Sequence, residues 1–259
     1  MNGKIEELKN YILETGKQGI CLSFSGGIDS TLLLYLCRDY NITALTFHSV
    51  FQTDEEINQT IELCKKYNVN HKIINVNLLE NPAVNNNPKD RCYHCKKQFF
   101  TLLKEYAIKN SLKYLFDGTN FDDLSAYRPG LKALKELDII SPLAKFKITK
   151  KEIREYALKS GISIYNKPST PCLATRFPYG TKLNEEDIIK VQEGEKVLKK
   201  EGFENCRLRL HNDIARIEIN KNKFSDFLLN KDEIIDKLKP IGFKYVTLDI
   251  EGIRNGSMD

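Results

Sequence analysis

At 259 residues the chain has room for one main domain and a smaller one, and its 41% hydrophobic and 29% charged residues are those of a globular protein that buries a core. A net charge of +5, from 40 Lys+Arg and 35 Asp+Glu, suits a phosphate-bearing ligand but is too small and dispersed to argue for nucleic acid. The start "MNGKIEELKN" has no signal-peptide core, and no apolar run nears the ~20 residues that span a bilayer, so a cytoplasmic protein with no membrane partner is expected. Seven cysteines, an odd number, argue against a disulfide framework and leave metal or thiol chemistry for any clustered pair.

From residue 20 onward short apolar runs alternate with helical stretches. "GICLSF" reads as a buried strand, "STLLLYLCRDY" as a helix and "ITALTFHSV" as a strand. "DEEINQTIELCKKYN" carries Ile57, Ile61 and Cys64 at helical spacing behind an acidic first turn. "HKIINVN" (strand), "KKQFFTLLKEYAIKN" (helix) and "YLFDG" (strand) continue the alternation. "ITKKEIREYALKSG" follows as a helix with Thr149 as N-cap and Gly161 as C-cap. The pattern predicts an α/β fold with a mostly parallel, doubly wound sheet and ligands at the carboxyl ends of its strands. "NKPSTPCLATRFPYGTKLNEED", with three prolines, reads as a long functional loop or linker. Beyond it a helix (187–200), a strand pair turning at "HND", a helix (222–238) and the strand "FKYVTLDI" predict a small α+β unit. The boundary falls near 180, giving domains 1–180 and 181–259.

"SFSGGIDS" lies between the first strand and its helix. Ser25, Gly26, Gly27, Asp29 and Ser30 make a glycine-rich turn at a helix N-terminus, where backbone N–H groups and the helix dipole favour an anion. No Walker A or Rossmann pattern occurs in the chain. The loop resembles the pyrophosphate loop of the N-type ATP-pyrophosphatase (PP-loop) superfamily, with its adenine nucleotide alpha hydrolase-like fold. That resemblance implies transfer of AMP from ATP to a substrate oxygen, with Asp29 and Ser30 in the reaction. "FDGTNFDD" resembles the superfamily's second nucleotide segment, which would put Gly118 and Thr119 near the AMP and Asp122 or Asp123 on magnesium.

Cys21, Cys37, Cys64 and Cys206 fall in core patterns. Cys92 and Cys95, in "DRCYHCKKQFF", are three apart beside a polar loop, and Cys172 lies in "STPCLATR". A Cys-x-x-Cys with one distant cysteine fits a [4Fe-4S] cluster with one open iron, a zinc completed by His94 or His71, or a metal-free redox pair.

The ordered set "SGGIDS", "RCYHCKK", "DGTNFDD", "YRPG", "SPL", "TKKEIR", "PCLATRFPYG" and "DIEGIRNGSMD" resembles the LarE family of ATP-dependent sulfur transferases nearly end to end. The resemblance implies adenylylation of a carboxylate of a pyridinium biscarboxylic acid mononucleotide, then displacement of AMP by sulfur, toward the nickel-pincer nucleotide cofactor. One branch of that family sacrifices a cysteine at the position of Cys172. The other holds a [4Fe-4S] cluster on three cysteines that match Cys92, Cys95 and Cys172, and this chain has all three. ATP, magnesium, a sulfide donor and a homo-oligomeric assembly are the implied cofactors and partners, with substrate binding and oligomerisation assigned to the smaller domain.

Arg207 and Arg209 share one face of "RLRLH" and are candidates for a substrate phosphate clamp, the alternative being a solvated face paired with Glu218. Lys96, Lys97 and Arg176 are second candidates. The rival readings are a cluster-dependent tRNA thiolation enzyme, for which no RNA-binding module or dense basic patch is seen, an amide-forming synthetase, and a nucleotide sensor with structural zinc.

Overall fold

Apolar runs and caps account for the first part of the fold. The computed structural model describes residues 2–125, 128–168 and 170–254; Tyr127 of "YRPG", Ser169 and the terminal "NGSMD" lie outside the described residues. The chain runs α1 (Asn2–Gly16), β1 (Ile20–Ser23), α2 (Ile28–Cys37), β2 (Ile42–His48), α3 (Asp54–Lys66) and β3 (Asn70–Asn75). After a short α4 (Pro82–Asn85) come α5 (Arg91–Lys109), β4 (Tyr114–Phe116), α6 (Gly130–Glu136), α7 (Pro142–Lys145) and α8 (Lys150–Lys159). The four strands form a parallel sheet in the order β3-β2-β1-β4. Chain order reverses beside β1, so the crevice between the carboxyl ends of β1 and β4 is the switch point where such sheets bind ligands. Ile5, Leu8 and Ile12 of α1, Ile20 and Leu22 of β1, Leu32–Leu34 of α2 and Ile153 of α8 share one core.

The remaining elements are α9 (Glu185–Lys200), β5 (Cys206–His211), β6 (Ile214–Ile219), α10 (Phe224–Leu229), α11 (Lys231–Leu238) and β7 (Tyr245–Leu248). The hairpin β5–β6 turns at Asn212 and Asp213, with Asn212 at φ 54°, and β7 runs parallel to β6. Gly194 lets α9 lie flat on this sheet, since a Cβ there would meet Leu208 Cδ1 at 2.5 Å.

The chain divides into two compact units, 1–76 with 90–170, and 77–89 with 171–259. The division after Thr170 differs from the sequence estimate near 180, and residues 77–89 join the second unit. Asn87, fully buried, donates to the carbonyls of Phe177 and Pro178 at 3.2 and 2.8 Å, and Gly180 N and Leu183 N donate to Asn87 O and Asn85 O at 3.0 and 2.7 Å, which attaches the segment. Two other differences are local. The helix expected from Lys96 begins at Arg91, so Cys92 and Cys95 lie within its first two turns. The helix expected over 222–238 breaks at Asn230, whose side chain bonds back to Asp226 O.

Thr149 caps α8 in a reciprocal box with Glu152. The Glu152 carboxylate also accepts from Lys4 of α1 at 2.9 and 3.1 Å. The Lys4 ammonium, ahead of the Thr149 backbone N–H, holds the carboxyl at about 2, below the usual 4.5. A depressed carboxyl contributes stability above its unfolded value and loses it as pH falls through the folded value. We therefore expect Glu152→Gln to be less stable than wild type at neutral pH. Urea titrations from pH 5 down to pH 2 should show the difference shrinking; one that stays constant to pH 2 would contradict this linkage.

Candidate functional site

The loop after β1 enters α2 with Gly27 as N-cap and no side chain capping the helix. Only Thr31 N begins the helical ladder, donating to Gly27 O. The N–H groups of residues 28–30 are first-turn donors of the kind a helix leaves without an intrahelical acceptor. Gly26 takes φ +70°, which favours glycine, and the space beside Gly27 holds only Ser25 Oγ at 3.5 Å. Ser25 Oγ and Ser30 Oγ lie 3.3 Å apart, so the two hydroxyls predicted to face phosphate are neighbours.

The segment after β4 passes directly against this loop. A Cβ on Gly118 would come within 2.9 Å of Ser30 N, so glycine is the residue this approach admits. Asp117 anchors the turn by accepting from Thr119 Oγ1 and Ser141 Oγ. The Thr119 hydroxyl is thereby committed within the protein. Asn120 Oδ1 accepts from the N–H groups of Asp122 and Asp123, which orients both carboxylates. Asp123 accepts from Asn120 N and pairs with Arg128 at 2.8 Å.

Asp29, in the first turn of α2, has a partner that sequence reasoning missed. Lys150 Nζ donates to both its carboxylate oxygens, at 2.9 and 2.7 Å, while Lys150 N donates to Asp122 Oδ2 at 2.8 Å. Burial pushes the Asp29 carboxyl up, Lys150 opposes the rise, and Asp123 adds to it. The signal in the sequence was a lysine directly after the N-cap of α8, where the helix dipole disfavours a cation.

The cysteines sort by burial. Cys21, Cys64 and Cys206 are buried, and burial pushes their thiols up to about 12. Cys37 is buried and shifts the same way. Cys92 is exposed, and Cys95 and Cys172 are part-buried. Cys92 and Cys95 stand one turn apart near the start of α5 in the first unit, and Cys172 lies in the second. Among the described residues no group of three or more His, Cys, Asp or Glu is arranged around a metal position. His71 is engaged with the Thr46 hydroxyl at 2.8 Å, and His94 lies 3.4 Å from Asp90.

The basic candidates divide sharply. Arg209 and Glu218 are 3% and 0% exposed and joined by two hydrogen bonds, and Arg209 also donates to Thr175 O. Arg176 is 2% exposed and meets Glu195 in the same two-point manner, with Glu195 Oε1 also accepting from Leu208 N. Cys172 O accepts from Thr175 N and Oγ1. The two buried pairs thus hold the turn that carries Cys172. Arg207 is half-buried, donates to Arg254 O, and pairs with no carboxylate among the described residues. Burial first, then the guanidiniums of Arg176 and Arg209, push it down from its ordinary value, against the carboxylates of Glu218 and Glu195. Lys97 is tied to Tyr93 and Glu136, and Lys96 lies over the Phe100 ring and beside Gly130.

The family profile for NAD synthase matches residues 1–120, the half that carries the phosphate loop. Over 246 residues the chain is 37% identical to a pyridinium-3,5-bisthiocarboxylic acid mononucleotide synthase of Lactiplantibacillus plantarum, covering 93% of this chain and 89% of that protein. The chain belongs to the LarE family. It is therefore an ATP-dependent sulfurtransferase built on the PP-loop fold. An uncharacterized protein of Methanocaldococcus jannaschii is 38% identical over 254 residues, 97% of this chain and 98% of its own. A tRNA(Ile)-lysidine synthase of Buchnera aphidicola is more distant, 26% identical and matched over 51% of its length. No described helix is long and apolar enough to cross a membrane.

Loss of Arg209 takes two charge-assisted hydrogen bonds from the buried Glu218 and leaves it the one from Arg216 at 3.1 Å, too few for a carboxylate sealed from water. Arg209→Ala should lower unfolding stability by about 3–5 kcal/mol, and Arg207→Ala by less than about 1 kcal/mol, both measured by urea denaturation. Equal losses would remove the division between scaffold and unpaired arginine.

Proposed function

We propose that this protein uses ATP to adenylylate a carboxylate of a pyridinium biscarboxylic acid mononucleotide and replaces the activated oxygen with sulfur, making the thiocarboxylate precursor of the nickel-pincer nucleotide. The observation that carries the reading is the sorting of seven cysteines. Four are sealed in the core, and the three of the matching motifs, Cys92, Cys95 and Cys172, are not.

A carboxylate is a poor electrophile because its leaving group would be oxide. Attack of its oxygen on the α-phosphorus of ATP breaks the bond to pyrophosphate and gives a mixed anhydride from which AMP can depart. In the proposed reaction the first-turn N–H groups of α2 and the hydroxyls of Ser25 and Ser30 hold the departing pyrophosphate, and Gly26 and Gly27 let it approach the backbone. Gly118 and Thr119 line the AMP side. Asp29, with Asp122 or Asp123, would hold magnesium, which would offset phosphate charge. These carboxylates suit a hard cation. Asp122 and Asp123 each accept a backbone N–H through one oxygen; the other is left for a metal on Asp122 and is paired with Arg128 on Asp123, and on Asp29 the metal would replace the Lys150 ammonium.

Three thiolates with one coordination position left over suit iron–sulfur ligation better than a closed zinc site, which takes four protein ligands. A [4Fe-4S] cluster held by Cys92, Cys95 and Cys172 would supply a sulfide on the iron that no residue ligates. We assign the substrate phosphate to Arg207, and leave Arg209, Arg176 and Lys97 to structural pairs. The second unit provides substrate contacts and the surface for a homo-oligomer. Arg207→Ala should then raise the apparent KM for the mononucleotide about tenfold, the loss of one charge-assisted contact, with little change in kcat.

Iron, acid-labile sulfide and zinc should be measured on wild type and Cys172→Ser purified without oxygen. The reading expects about four irons per chain in wild type and their loss or destabilisation in the variant. One zinc and no iron would overturn the cluster and leave Cys172 as a zinc ligand or single-use sulfur donor, which the mass of the spent protein distinguishes.

A further inference from the structure

Lys150 is misplaced by the rules of helix formation. It is the first residue of α8, where the positive end of the dipole favours an acid, and the two residues after it are Lys151 and Glu152. Its backbone N–H is fixed by Asp122 and its ammonium by both oxygens of Asp29, so one residue ties the β4 segment to the phosphate loop. The ion pair is part-buried, with side chains 28% and 20% exposed, and its Asp29 partner lies in the first turn of α2, next to Ser30. A lysine is a compact charge on a flexible four-carbon stem, able to change partners without moving the backbone that Asp122 holds.

The same carboxylate cannot serve a lysine and a divalent cation at full strength. Asp29 accepts from the Lys150 ammonium and the Asn120 amide, and the nearby Asp123 is paired with Arg128, so removing the ammonium leaves Asp29 a carboxylate with no cation of its own. We propose that Lys150 and magnesium exchange places on Asp29. In the nucleotide-free protein the ammonium neutralises the carboxylate. When Mg–ATP enters, the metal takes Asp29 and the ammonium moves onto the phosphate oxygens. Lys150 thereby keeps the free site from gathering metal without nucleotide, and becomes a phosphate contact only when ATP is bound. This exchange rests on the ATP-dependent reading of the phosphate loop.

The test uses the full chain, with Mn²⁺ as the metal probe and the Mg²⁺ complex of α,β-methylene-ATP as the nucleotide probe. Mn²⁺ binding without nucleotide is followed by electron paramagnetic resonance, and analogue binding by calorimetry. Lys150→Met keeps the aliphatic stem, and circular dichroism with thermal melting verifies its fold. The exchange predicts that Lys150→Met binds Mn²⁺ about tenfold tighter than wild type without nucleotide, and the analogue about tenfold weaker, as expected for one charge near a partly buried ion. The double variant Asp29→Asn with Lys150→Met should lose the gain in Mn²⁺ affinity. Unchanged Mn²⁺ affinity in Lys150→Met, or a gain that persists in the double variant, overturns the exchange. Unchanged analogue affinity overturns the move onto phosphate. Failure of wild type itself to bind the analogue overturns the ATP reading on which the exchange rests, a result separable from the others because it does not involve the variant.

Discussion

The close approach of Gly118 to Ser30 is the constraint on which the first unit's site depends. β1 and β4 are neighbours in the sheet, and the segments that leave their carboxyl ends touch only because residue 118 has no side chain. The approach, with Lys150 bonded to both Asp29 and Asp122, brings the phosphate loop, the Asp117 turn and the acidic turn at Asp122 and Asp123 together at the carboxyl ends of β1 and β4. Each is braced from within: Ser30 by Gly27 O, Asp117 by Thr119 and Ser141, and both acids by Asn120. The result is a pre-organised array of donors and carboxylates, the arrangement that phosphate chemistry uses in place of covalent assistance.

The second unit solves a different problem, holding a cysteine-bearing turn in place without a long element of its own. Two buried arginine–glutamate pairs do this, one formed within the sheet and one linking the turn to α9. Buried ion pairs are a weak source of net stability, but they are demanding about geometry. Their value here is positional: Arg209 holds Thr175 O, and Thr175 in turn reaches Cys172 O. An alternating "RLRLH" suggests two equivalent arginines, yet the register sets Glu218 opposite Arg207 and within reach of Arg209, which takes it. That leaves Arg207 as the arginine of the pair open to a ligand among the described residues.

Much of this was legible in the sequence because it depends on local chemistry. The phosphate loop, the Thr149 cap, the Asn212 turn and the division of the cysteines into four buried and three not buried follow from residue types at fixed spacings. What was not legible depends on chain segments far apart in sequence. Lys150 meets Asp29 across 121 residues, and Asn87 meets Phe177 across 90. Strand period placed Arg207 and Arg209 on one face but could not show that the face is covered at Arg209. The early start of α5 was hidden because Cys, Tyr and His are indifferent helix formers, and propensity is only a weak prior there.

The central claim is that the phosphate loop activates a carboxylate by transferring AMP to its oxygen. The most direct measurement is turnover with the pyridinium mononucleotide substrate labelled with ¹⁸O in its carboxylates, followed by mass analysis of the released nucleotide. The account predicts AMP that carries one ¹⁸O from the substrate, with pyrophosphate unlabelled. Unlabelled AMP, or ADP with labelled phosphate, would contradict it and place the activation at another bond.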